Sequence, residues 1–199
     1  MILGYKASIQ ENTDMAENNL IKVYVSASSS MKVNLIIKNY SSFIGIIDGY
    51  TEGLRYTIEC EKESIRRQAK GETGVHVQGG CFKSDPTAKQ GIGRVMTRDA
   101  LIRCDFSDDV LEGVEQPDVI MSSAYILRRM RDDYELFNSQ LDSLGREKEV
   151  FKKYLTGEMS LSDIAEKNNI TYESAQQKIH KIRSRVRKQV VGFMDGTTG

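Results

Sequence analysis

Apolar residues recur along this chain at spacings of three and four, the period of an amphipathic helix. In the first long run Val33, Ile37, Tyr40, Ile44, Ile47, Leu54, Ile58 and Ile65 share an a/d-like register. This predicts one helix from Met31 to Ala69. Gly45, Gly49 and Gly53 align at i+4 on a neighbouring face. Each weakens a helix by about 1 kcal/mol relative to alanine. Two readings are open: the glycines let another helix approach closely, or the helix breaks near Gly49. A rival reading makes Lys32–Lys38 a strand. After Pro117, Ile120, Ala124, Leu127, Met130, Tyr134, Phe137, Leu141 and Leu144 continue the alternation. They predict a second long helix that packs on the first as a hairpin, or mediates a homodimer.

Turn signals divide the remainder. Residues 1–30 are polar, and Ser26-Ala-Ser-Ser-Ser30 reads as a flexible joint. Leu20–Val25 could form a short strand, but a lone strand has nothing to pair with. Residues 70–84 read as a glycine-rich loop. They lack Gly-Lys-Ser/Thr at phosphate-loop spacing. Asp85-Pro86 suits an N-cap followed by proline at N1, opening a helix to about Cys104. An acidic connector, 105–118, follows.

The last fifty residues carry the clearest local grammar. Gly157 suits the end of one helix. Ser160 with Asp163 approximates a capping box for the next, whose apolar face is Leu161, Ile164 and Ala165. Asn168-Asn169 makes a turn. Ile170 is placed to plug the core, and Thr171 caps a third helix. In that helix Ala175, Ile179, Ile182 and Val186 form a narrow apolar stripe. Ser174, Gln177, His180, Lys181, Ser184, Arg185 and Lys188 are read on the opposite face. This is the pattern of a helix-turn-helix whose last helix enters DNA. Glutamine pairs with adenine, and lysine or arginine with guanine or phosphate. The expected DNA-binding residues are Thr171, Tyr172, Ser174, Gln177, Lys178, Lys181, Arg183, Arg185, Arg187 and Lys188. Ser174, Gln177, Lys178 and Lys181 are assigned to bases. Arg183, Arg185, Arg187 and Lys188 are assigned to phosphates.

Charge sharpens this picture. The 199-residue chain has 28 basic and 28 acidic residues, for no net charge. That balance alone argues against a nucleic-acid partner, but the distribution reverses the inference. Asp105, Asp108, Asp109, Glu112, Glu115 and Asp118 crowd the middle, while Lys178, Lys181, Arg183, Arg185, Arg187 and Lys188 crowd the end.

Arg146-Glu147-Lys148-Glu149-Val150-Phe151, Leu161-Ser-Asp-Ile-Ala165 and Ser174–Arg187 resemble region four of bacterial sigma factors. Upstream, Ser84-Asp85-Pro86-Thr87-Ala88-Lys89 precedes a long helix and then this module. That order is similar to phage late-gene activators of the ArpU and RinA type. The resemblance implies sequence-specific binding to double-stranded DNA in transcription control, with RNA polymerase as a further partner. The alternatives are a DNA-packaging subunit like a small terminase, and a polymerase-interaction protein that does not bind DNA.

No catalytic or metal site is expected. His76 and His180 belong to no metal spacing, and no nucleophile elbow occurs. Cys60, Cys81 and Cys104 are odd in number and widely spaced, which suits free thiols in a reducing cytoplasm. No cofactor, signal peptide or membrane span is expected. The expected architecture is all-α: a flexible segment 1–30, a helical region 31–143 of long-hairpin or coiled-coil type, a helix-turn-helix domain 144–192 and a flexible tail 193–199. A fragment of residues 141–199 is expected to be helical on its own, with Leu144, Val150, Phe151, Ile164, Ile170, Ile179 and Ile182 as its core.

Overall fold

The structure, a computed structural model, describes residues 20–72, 86–107 and 109–197. These are all-α, with no strand among them. The described part of α1 is residues 20–26. Then come α2 (Ser29–Lys38), α3 (Phe43–Glu72), α4 (Pro86–Arg103), α5 (Pro117–Asp142), a 3-10 turn (Gly145–Glu147), α6 (Lys148–Thr156), α7 (Leu161–Lys167) and α8 (Tyr172–Met194). The expected features at 1–19 and 73–85, among them His76, Cys81 and the Asp85 cap, lie outside the described residues.

Several boundaries differ from expectation. Residues 20–26 are helical rather than extended or loose, because Leu20 and Tyr24 stand one turn apart and are both buried. The serine run is not a loose joint: the Ser28 hydroxyl accepts the Met31 N–H at 3.4 Å and caps α2. The strand alternative at 32–38 gives way to helix. The expected helix 31–69 is two helices, separated by a turn at residues 39–42 and not at Gly49. Asn39 ends α2 by donating from its side chain to the Leu35 carbonyl at 2.8 Å. Gly45, Gly49 and Gly53 are exposed, and a Cβ built on any of them would meet nothing within 4 Å. Close helix packing does not explain them in this chain.

The chain forms two compact units. One comprises residues up to Ile46 together with Asp132 onward. Its centre is aromatic. Tyr24 lies 5.8 Å from Phe43, Phe43 stacks on Tyr134 at 5.6 Å, and Tyr40 lies 5.9 Å from Phe137. The Tyr24 hydroxyl donates to the buried Asp133 carboxylate at 3.0 Å. Burial, reinforced by Tyr134, pushes the Tyr40 phenol up to about 12. Helix α2 buries Val33, Ile36 and Ile37 and packs against α8. The boundary expected at 144 is therefore not a domain boundary: residues 144–192 share their unit with α1 and α2. The expected 141–199 core is also only partly realised, since Ile170 is exposed and Val150 half-buried.

The second unit, Ile47–Arg131, packs Ile58, Leu101, Val114, Ile120 and Ala124 together, with Leu54, Cys104, Phe106 and Leu111 against them. Arg55 bridges Glu52 at 2.7 Å and Glu59 at 2.5 Å. Arg98 reaches Glu52 at 2.8 Å, and Arg131 reaches Asp48 at 2.6 Å. Ile65, expected in the apolar register, is exposed; its Cδ1 lies 3.0 Å from where a Cβ on Gly113 would stand. The acidic connector is anchored by apolar residues. Val110 and Val114 are buried, Lys62 donates to the Asp109 carbonyl at 3.1 Å, and the Glu115 N–H donates to Glu61 at 2.9 Å. No helix among the described residues is long and apolar enough to cross a membrane.

Candidate nucleic-acid interface

Local chemistry sets the ends of α6, α7 and α8. Gly157 adopts a left-handed φ of 78° and ends α6. Ser160 and Asp163 form a complete capping box at the start of α7. The Asp163 N–H donates to the Ser160 hydroxyl at 3.2 Å, and the Ser160 N–H and O–H both donate to Asp163 at 2.8 Å. Those donors hold the Asp163 carboxyl below its ordinary value, the backbone N–H most strongly. Asn169, at φ 50°, turns the chain out of α7. Thr171 then caps α8 by accepting the Ser174 N–H at 3.2 Å.

Helices α7 and α8 pack together, with Ile164 buried on α7. On α8 the buried residues are Ala175, Ile179, Ile182, Val186 and Val190. Burial of each Val or Ile side chain contributes about 1.5–3 kcal/mol, so this stripe fixes how α8 is rotated. Every other α8 residue from Ser174 to Lys188 is exposed except Lys178, which is half-buried.

The expected site residues do not share one face. At about 100° per residue, Gln177, Ser184 and Lys188 point directly away from the stripe, with Lys181 close beside them. Lys178 and Arg185 lie on one flank, and Arg183 and Arg187 on the other. Ser174 is exposed near the helix start, where the Thr171 hydroxyl donates to its side chain at 3.1 Å. Tyr172 is exposed in the first turn. Ile170, expected to plug the core, is exposed beside it. Gln176, Gln177, His180 and Lys181 line a shallow hollow of about 280 Å³.

Arg185 is held by Glu147, a residue the sequence reading did not place in the site. Its Nη2 lies 2.7 Å from Glu147 Oε2, across 38 positions of sequence. No local spacing signals such a pair. Lys178, Lys181, Arg183, Arg187 and Lys188 have no ion-pair partner among the described residues. Among those residues, too, no group of three or more His, Cys, Asp or Glu side chains could hold a metal ion. The exposed surface of α8 thus carries cations and amides. No family model, curated protein or solved structure matches this chain.

Proposed function

We propose that this protein is a sequence-specific DNA-binding regulator of transcription, a cytoplasmic phage or prophage late-gene activator that engages duplex DNA through α8. One observation carries the reading. Between Ser174 and Lys188, helix α8 is apolar only along its buried stripe, while the other residues there are polar, free of acidic side chains and exposed, Lys178 being half-buried. The capped α7, the Asn169 turn and the capped α8 match the order of a helix-turn-helix. In this reading Gln177 and Lys181 approach base edges, and the flanking arginines neutralise phosphates. RNA polymerase is the second partner proposed, on the strength of the sigma-like sequence.

Gln177 tests the recognition face. A bidentate amide–adenine pair provides about 1–3 kcal/mol of discrimination. In selection from random duplexes, Gln177→Ala is expected to lose preference at one base pair while keeping non-specific affinity. Unchanged preference at every position would remove Gln177 from the interface.

A second reading, a DNA-packaging subunit, draws on α4, which exposes Ile92 and Val95 away from buried Thr97, Ala100 and Leu101, with Met96 exposed on the flank. Exposed apolar patches mark interaction sites, and a packaging subunit needs one for self-association. Ring-shaped assemblies in light scattering would favour packaging; monomers or dimers favour regulation.

A further inference from the structure

Arg185 stands apart from the other basic residues of α8, because it alone among them has an ion-pair partner among the described residues. The partner is held in place. Glu147 closes the 3-10 turn, its N–H donating to the Leu144 carbonyl at 3.2 Å. It also occupies the N-cap position of α6, yet its side chain makes no capping hydrogen bond. Its backbone there is helical, at φ −82° and ψ −16°, which is not the extended geometry of a capping residue, and its carboxylate turns to α8. The neighbouring Lys148 does not compensate it, since its Nζ is paired with Asp142 at 2.6 Å.

Arg185 lies one turn beyond Lys181 on α8, about 40° round the helix from it. It is on the edge of the outward arc, where the proposed interface meets phosphates. It is half exposed, so a phosphate can reach it, and Glu147 is less exposed still. Any phosphate that takes Arg185 must displace or share it with Glu147, and it brings a second negative charge next to that carboxylate. Like charges at this range repel, and salt screens them only beyond about 8 Å.

We propose that Glu147 is a resident competitor for Arg185 that lowers the affinity of α8 for the DNA backbone. The inference rests on the DNA-binding reading above and adds regulation to the same site. It assigns Glu147 an opposing role, and the alternative is that Glu147 orients Arg185 for phosphate. The two roles give opposite signs when the charge is removed.

The test uses the full chain and a random-sequence duplex, with fluorescence anisotropy from roughly 50 to 200 mM salt. Glu147→Gln is expected to bind roughly three- to tenfold more tightly at low salt, because the competing charge is gone. Its log–log salt slope is expected to steepen by about one unit, the signature of one more neutralised phosphate. In an Arg185→Ala background the same substitution is expected to give no gain. The exposed pair adds little to folding, so the melting temperature of Glu147→Gln is expected to stay near that of the unaltered chain. Glu147→Asp keeps the charge but shortens its reach, and is expected to fall between the two. An unaltered chain that binds while Glu147→Gln binds equally or more weakly overturns the competitor role alone. If neither protein binds the duplex at low salt, the DNA-binding reading falls and this inference falls with it.

Discussion

Helices α8 and α4 are built from similar amounts of apolar residue but distribute them in opposite ways. In α8 the buried residues are Ala175, Ile179, Ile182, Val186 and Val190, and its exposed middle is polar and basic. In α4, Thr97, Ala100 and Leu101 are buried, while Ile92 is 61% exposed, Val95 60% and Met96 50%. A helix with one apolar stripe is satisfied by its own unit and offers its remaining surface to water or charge. A helix that is apolar on both sides leaves hydrocarbon in water. The contrast separates a polar, basic face from a face that leaves apolar side chains exposed.

The largest effect that sharpens this contrast comes from charging each helix. Ala175→Glu puts a carboxylate into the fully buried stripe of α8. An uncompensated buried charge costs about 3–5 kcal/mol, so thermal melts followed by circular dichroism are expected to show the α8 unit unfolded or severely weakened. Ile92→Asp on the exposed side of α4 is expected to change stability by no more than about 0.5 kcal/mol. Similar losses for both would erase the distinction between the helices.

A smaller effect tests the local start of α7. Ser160→Ala removes half of the capping box and is expected to cost about 0.5–2 kcal/mol. The other half is sensitive to pH. Asp163 has its folded pKa held below its ordinary value of 3.8, so its contribution is complete above that value and is lost as pH falls through the lower folded one. Acid titration of stability is expected to show this loss in the unaltered chain and not in Asp163→Asn. Identical acid profiles would deny the carboxylate its capping role.

The smallest effect has the opposite sign. Gly49 is exposed within α3, and no atom lies near the position of an added Cβ. Gly49→Ala is expected to stabilise the protein by about 0.4–1 kcal/mol in chemical denaturation. A destabilisation would mean that another surface approaches this helix closely.

The parts of this fold that were legible in the sequence are those governed by neighbours. The Gly157 stop, the Ser160–Asp163 box, the Thr171 cap and the α8 stripe depend on residues within one or two turns, and each lies where its spacing predicts. The seam from Ile120 to Leu144, on α5 and the turn that follows it, is buried almost throughout, with Tyr134 half-buried. Long-range features left no such trace. The turn at residues 39–42 was hidden because Tyr40 and Ile44 keep the three-four spacing across it. The described part of α1, residues 20–26, carries only two buried apolar residues, Leu20 and Tyr24, too few for a periodicity. Packing of α2 on α8 joins residues far apart in sequence and moved the expected domain boundary. Helix α8 also runs two residues into the expected tail, to Met194, and Asp195 beyond it accepts from the Ser29 hydroxyl at 2.5 Å. At the candidate interface the sequence named the exposed cations, but not that they divide between two flanks, nor that Glu147 occupies Arg185.

The most direct measurement is the salt dependence of duplex binding by the full chain. If the outward cations of α8 meet the DNA backbone, log affinity falls linearly with log salt at roughly −0.9 per phosphate neutralised. Arg187→Ala then reduces that slope by about one unit for every duplex sequence. An affinity independent of salt, or no binding at low salt, would contradict the claim that α8 is a nucleic-acid interface.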